Sequence, residues 1–373
     1  LAVGIQDIGG GAASPALADI MKAMPGVSQP KIMMIPTILT ISQVIVNLLF
    51  GRLCDLFRKK TLFHIASVLF LIGGLGPFWM NDINTILLFR VILGMAIGVF
   101  VPLAVTLITD FYDDPKQINR MNGLNLTVAC IGGMFFQTLG GYLARIDWHY
   151  CFLTYLFAIF VWLLVFFGLP EPERKARQET GKVRLPGRAY GIALVYMIAN
   201  GLLMAIVTNN AVAIVMNGYG DSATAGISLT LYTGGGFIGG ILFGFLVRAL
   251  KRFSLPFGYL LAAIGFGIAA FASNAGMIIL GTFVTGLSLG TIIPATYAKI
   301  QGSVPAALIG AAIGVACAGQ GVGQFIQAIV YAPILEMVGG PGKPAFGISA
   351  VGFVALFVIS AIVTAASRER KPA

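Results

Sequence analysis

Long apolar runs of nearly constant length alternate along the chain with short polar breaks. A helix needs about 20 apolar residues to cross a bilayer. At that length the pattern predicts about twelve spans. They fall at 1–23, 32–54, 61–80, 84–110, 121–144, 149–169, 189–216, 225–248, 255–273, 276–299, 306–335 and 345–366. The one long hydrophilic stretch is EPERKARQETGKVRLPGR, residues 171–188. It leaves six spans on each side. The expected organisation is a bundle over 1–170, a cytoplasmic linker over 171–188 and a second bundle over 189–373. Leu1 already lies within an apolar stretch, so residues ahead of it are expected, and no cleavable signal peptide is visible.

Composition names the solvent. The chain is 58% hydrophobic and 10% charged, with mean hydropathy +0.91. A soluble domain carries about 25% charged residues. With so little charge, most of this chain must face lipid or itself. The fold class expected is all-α, with transmembrane helices in two six-helix bundles.

Charge then sets the orientation. Alternate loops gather Arg52, Arg58, Lys59, Lys60, Lys116, Arg120, the 174–188 cluster, Arg248, Lys251, Arg252, Lys299 and the tail Arg368, Arg370 and Lys371. The opposite side holds little beyond Lys22, Lys31, Arg145 and Lys343. Positive residues stay in the cytoplasm, so both termini are expected there. The net charge of +10 is this asymmetry. It calls for no nucleic-acid partner, though anionic headgroups would attract it.

The halves echo one another. Gly94, Gly98 and Pro102 of span four recur as Gly286, Gly290 and Pro294 of span ten. The segment after span two, GRLCDLFRKK at 51–60, has a counterpart in Gly244 to Arg252. Two halves related by an axis along the membrane normal would give this pattern.

The stretch Gly51, Leu53, Asp55, Arg58 and Lys59 resembles the signature loop between helices two and three of the major facilitator superfamily, and the span pattern extends the resemblance over essentially the whole chain. Phe57 stands where that family usually has Gly. The resemblance implies alternating-access transport, with this loop as a latch on the inward gate. A plain positive-inside anchor would explain the cations, but not Gly51 and Asp55. Most similar are twelve-helix bacterial drug/proton antiporters, which implies the bacterial cytoplasmic membrane. No cofactor or metal and no enzyme activity is expected, and a monomer is the expected state.

Two intramembrane charges stand out. Arg90, in LLFRVILGMAIG, resembles the helix-four Arg that influences carboxylate protonation in proton-driven antiporters. Snorkelling to the outer interface is the alternative. Asp7, in LAVGIQDIGGGAAS, lies inside the membrane if its span runs outward to residue 23. A carboxylate desolvated at that depth can take up and release a proton near neutral pH. The alternative places it at the cytoplasmic rim. Gln6 beside it is a cavity candidate. Antiporters often carry Gly-Pro in helix five, where this chain has Phe136-Gln137. That departure bears on transport direction and makes Gln137 a cavity candidate.

In the second half the candidates are neutral. Asn209 and Asn210, taken as mid-span, Tyr232, and the i, i+4, i+7 face of Gln320, Gln324 and Gln327 are the expected substrate contacts. The cysteines Cys54, Cys130, Cys151 and Cys317 are scattered without a CxxC pair and are expected to be buried, inert thiols. GQGVGQ (319–324) lies within a span, and GGPGKP (339–344) lacks the Ser or Thr of a P-loop. The function expected is proton-coupled efflux of small organic or drug-like compounds. Proton-coupled uptake of an organic solute or anion is the alternative, with a passive channel or a non-transporting sensor behind it.

Overall fold

The computed structural model describes residues 9–112, 114–168, 185–305 and 308–366. All regular structure among them is helical. Hydrocarbon offers backbone N–H and C=O groups no water, so an apolar chain satisfies them within helices. A 3-10 segment, Gly9–Ala16, leads into α1 (Leu17–Ala23). Next come α2 (Gln29–Leu56), α3 (Lys59–Leu75), α4 (Ile83–Phe111) and α5 (Pro115–Ala144). A second long 3-10 segment, Trp148–Leu156, leads into α6 (Phe157–Gly168). The remainder is α7 (Gly187–Val215), α8 (Ser222–Leu250), α9 (Ser254–Ala270), α10 (Ala275–Gln301), α11 (Ile309–Val338) and α12 (Lys343–Ala366).

Among the described residues, 10 runs are long and apolar enough to cross a membrane. One of them, Ser222–Ala270, is 49 residues long and takes in both α8 and α9. Lys251 divides it at φ 50°, a left-handed backbone that stops α8. The first predicted span differs from expectation. Residues 1–8 lie outside the described part, and Gly9–Ala16 is a 3-10 rather than an α-helix. Three successive glycines weaken α-helix formation there, and Pro15 lacks the N–H that an α-helix would use.

Other helices begin ahead of their apolar windows because polar caps start them. Asp82 accepts from the Thr85 N–H at 2.9 Å, and Asn274 accepts from the Met277 N–H at 2.9 Å. Each satisfies a donor that the first turn leaves open.

Contacts divide the chain into two compact units: Leu1–Lys182 with Asp221–Gly226, and Val183–Gly220 with Ile227–Ala373. In the first, α4 packs against α2 and α3, and α5 packs on both 3-10 segments. A Cβ on Gly98 would meet the Gln43 carbonyl oxygen and the Val46 Cβ at 2.8 Å. In the second, α9 packs against α10 and α12, and α11 against α7. A Cβ on Gly290 would meet the Gly239 carbonyl carbon at 2.7 Å. The glycine echo read in the sequence therefore serves one purpose twice. It lets α4 approach α2, and α10 approach α8, at backbone distance.

Candidate functional site

Arg90 is the deepest charge in the first unit. It lies on α4 and is 0% exposed. Its Nη1 donates to the Tyr155 hydroxyl at 2.9 Å. The guanidinium also lies over the Phe152 ring, 4.8 Å from its centroid, and 5.3 Å from that of Tyr155. Its Nε and Nη2 have no partner among the described residues. The aromatic wall shields a cation that hydrocarbon would not tolerate, yet two donors remain open for an acceptor. Phe136 of α5 packs its ring 5.7 Å from that of Tyr155. Gln137, the next residue, is 7% exposed, and its Nε2 lies 3.3 Å from where a Cβ on Gly11 would stand. Arg90 and Gln137 thus belong to one neighbourhood of α4, α5 and the two 3-10 segments. Gln6 and Asp7 lie outside the described residues.

At the other end of α4 a second constellation forms. Gly51 lies near the end of α2, and Asp55 lies in its last turn, though the Asp55 side chain is outside the described part. Arg58 is extended, at φ −68° and ψ 148°, and opens α3. Lys59 forms an ion pair with Asp110, whose side chain is 7% exposed. The loop is therefore tied to the end of α4. Sequence reading missed Asp110, although a lone carboxylate at the end of an apolar span was a usable signal. It also missed Tyr155 and Phe152, which looked like ordinary span aromatics.

The second unit gathers neutral polar groups. Asn209 and Asn210 lie in the last two turns of α7 rather than at its middle, since the helix spans Gly187–Val215, close to the expected run, and these are its twenty-third and twenty-fourth residues. Asn209 donates to the Thr208 hydroxyl at 2.8 Å and accepts from the Gly342 N–H at 3.0 Å. Asn210 donates to Ser228 at 2.9 Å and to Thr282 at 3.0 Å. These bonds tie α7 to α8, α10 and the turn before α12. Tyr232 of α8 is buried, and its backbone adjoins Gly286. Gln327 accepts from Thr208 at 3.4 Å, whereas Gln320 accepts from the Tyr196 hydroxyl at 3.0 Å. Gln324 is half-buried on the same helix. The cysteines need correction: Cys130 and Cys151 are buried, Cys54 is half-buried and Cys317 is exposed. Cys317 lies beside the Tyr297 hydroxyl of α10, which is 3.2 Å from its Sγ.

Outside the spans, three carboxyls are held below the usual carboxylate range. The Thr85 N–H does this for Asp82, the His149 N–H for Asp147 and the Thr224 N–H for Asp221. The first unit also contains the Arg145–Asp221 pair at 3.0 Å and a hydrogen bond from Ser222 to Asp19.

A family model, Major Facilitator Superfamily, matches residues 1–208. Multidrug resistance protein 3 of Bacillus subtilis is 29% identical over 105 residues, covering 28% of this chain and 20% of that protein. Puromycin resistance protein pur8 of Streptomyces alboniger is 28% identical over 161 residues, covering 41% of this chain and 31% of that protein. The chain thus spans about a fifth to a third of these relatives' length. Among solved structures, the nucleoside transporter NupG superposes with a TM-score of 0.75 at 14% identity, covering 99% of this chain and 98% of that one. The xylose transporter XylE from E. coli, inward open, gives 0.73 at 14%, covering 96% and 94%. At such identities the likeness is one of fold. The family match covers more than half of the chain and agrees with the loop at Gly51–Lys59 and with the helical architecture, so this multi-pass integral membrane protein belongs to the major facilitator superfamily.

Proposed function

We propose that the chain is a secondary active transporter that couples proton movement to the efflux of small organic or drug-like compounds. It is a carrier rather than an enzyme, with twelve crossings in two bundles, 1–170 and 189–373, joined by the linker 171–188. The bundles rock about a midplane site. The observation that carries this reading is Arg90, fully buried on α4 with two donors unsatisfied. A charge kept at that cost marks an ion or substrate path. In this reading Asp7 is the proton carrier and Arg90 favours its ionised form. Gln6, Gln137, Asn209, Asn210, Tyr232, Gln320, Gln324 and Gln327 supply the cavity. Gly51, Asp55, Arg58 and Lys59 form the cytoplasmic latch, with Asp110 as its anchor. Both termini face the cytoplasm of a bacterium, and the protein works as a monomer in its inner membrane. Efflux is supported by the names of two relatives, both resistance proteins.

One observation favours proton-coupled uptake. Phe136 is fully buried against Tyr155 where antiporters often have Gly-Pro. Proteoliposomes with a trapped pH dye separate the readings, with puromycin as the probe. Puromycin-dependent proton movement that Asp7→Asn abolishes is the expected result, and its direction separates antiport from symport. Puromycin movement without proton movement would overturn the coupling.

A further inference from the structure

A helix at the edge of a bundle buries one face against its neighbours. The end of α8 buries none. From Gly240 to Phe253 no residue is buried. Ile241 is 59% exposed, Leu242 44% and Phe245 68%. The glycine side is open too: a Cβ on Gly240 or Gly244 would meet nothing within 4 Å. Ile241, Phe245 and Arg248 recur at i, i+4 and i+7, so they share one stripe of the helix. That stripe runs from apolar side chains into a cation. Lys251 and Arg252 follow in a 3-10 turn, Lys251–Phe253, that packs on α9 and α12. Arg248, Lys251 and Arg252 are all exposed, and the Arg252 guanidinium lies 5.5 Å from the Phe253 ring centroid.

These cations have no counter-ion among the described residues. The ion pairs there are Lys22–Asp19, Lys59–Asp110, Arg145–Asp221 and His149–Asp147. The repeat gives the reason. The echo that pairs Gly51 with Gly244 also pairs Asp55 with Arg248. The echo that pairs Gly98 with Gly290 also pairs Asp110 with Gly302, which caps α10. Both carboxylates of the first loop are therefore missing from its counterpart. Over 183–373 the chain has ten Lys and Arg but two acidic side chains, Glu336 and Glu369. Glu336 lies in the last turn of α11, at the opposite end of the helices. Other parts of the chain do not complement the patch. Residues 169–184 carry five cations against three carboxylates, and 367–373 three against one. A second copy would set like charge against like.

We propose that the end of α8 is a binding site for one anionic phospholipid. Arg248, Lys251 and Arg252 hold its charged phosphate headgroup, and Ile241 and Phe245 take an acyl chain. The arginine fork matches phosphate oxygens, and each cation beside an anionic surface adds to the attraction. The loop of the first unit is closed by its own Asp110, whereas its counterpart is closed by lipid. This is a located site, distinct from the diffuse attraction that net charge gives. It needs only the membrane insertion of α8, and no carrier activity.

The test reconstitutes the full chain in phosphatidylcholine vesicles containing a little phosphatidylglycerol with a photoactivatable acyl chain. Crosslinked peptides are read by mass spectrometry. Phosphatidylglycerol adducts at 240–253 at least about fivefold above those of equally labelled phosphatidylcholine are the expected result. Arg248→Gln/Lys251→Gln/Arg252→Gln should bring that ratio close to one. Arg248→Lys/Arg252→Lys, which keeps the charge, should retain at least about half of the enrichment. Lys116→Gln/Arg120→Gln removes two exposed cations of α5 and should leave the ratio unchanged. A ratio near one in the wild type would overturn the site. An equal fall in both Gln variants would overturn it in favour of diffuse surface attraction. Displacement of the lipid by excess inorganic phosphate would reassign the cations to a free anion. Puromycin flux plays no part in this readout, so its presence or absence bears on the carrier reading alone.

Discussion

In the first unit the largest fully buried polar side chain is a cation, Arg90, satisfied at one nitrogen and open at two. In the second, the deepest polar groups are amides and hydroxyls: Asn210 makes two hydrogen bonds to neighbouring helices, and Asn209 one to the turn before α12 and one to Thr208 beside it. Among the described residues Arg90 is the one charged residue in the buried set. The contrast separates two uses of polarity in a membrane. Neutral amides that reach neighbouring helices hold a bundle together at modest gain per bond. A buried cation adds little stability, because desolvation offsets its attractions. In the proposed reading, charge movement belongs to the first unit, and cohesion and uncharged recognition to the second.

The strongest test of that division is Arg90→Met. Proton-coupled flux should fall by about 100-fold or more, as when a group that governs proton transfer is removed. The thermal unfolding midpoint in detergent should hold steady or rise, since an incompletely paired charge leaves the interior. A lower midpoint with intact flux would make Arg90 structural and dissolve the comparison.

Next is Lys59→Ala, which strands the nearly buried Asp110 carboxylate. A buried pair broken this way costs about 3–5 kcal/mol. The Lys59 side chain is 23% exposed, so solvent screening brings the expected cost to about 2 kcal/mol. A double-mutant cycle with Asp110→Ala checks it; additive effects would show that the pair contributes nothing.

In the second unit, Asn210→Ala should cost about 1 kcal/mol, the scale of net hydrogen bonds lost between helices. Chemical unfolding would measure this. A raised KM with unchanged stability would move Asn210 from helix cohesion to the cavity wall.

The smallest effect is at the rim. The His149 N–H lowers the pKa of Asp147. A lowered carboxyl stabilises the fold above its ordinary titration range, and that contribution disappears as pH falls through the lowered value. Asp147→Asn should therefore be less stable by about 0.5 kcal/mol at pH 7. The gap should begin to close as pH falls below about 4, and wild type and variant should converge only below the lowered value. A constant gap across that range would assign the loss to packing.

Much of this was legible in the residues alone. Apolar run length marked the helices because bilayer thickness imposes one length on every crossing. The Gly94/Gly98 and Gly286/Gly290 spacing marked the close approaches because only glycine admits backbone contact there. The loop from Gly51 to Lys59 pointed to the family. Residues remote in sequence were another matter. Nothing in the local pattern distinguishes Tyr155 from other span aromatics, yet it holds Arg90 from 65 positions away. Asp110 takes its meaning from Lys59, on the next helix back. Cys317 reads as one more apolar-span thiol, and only the packing of α11 leaves it exposed. The order of the apolar helices and the tight glycine contacts follow from local chemistry acting within a few turns. Which donors remain open, which carboxylate meets which cation and which side chains stay uncovered depend on how the helices pack, so only the tertiary structure decided them.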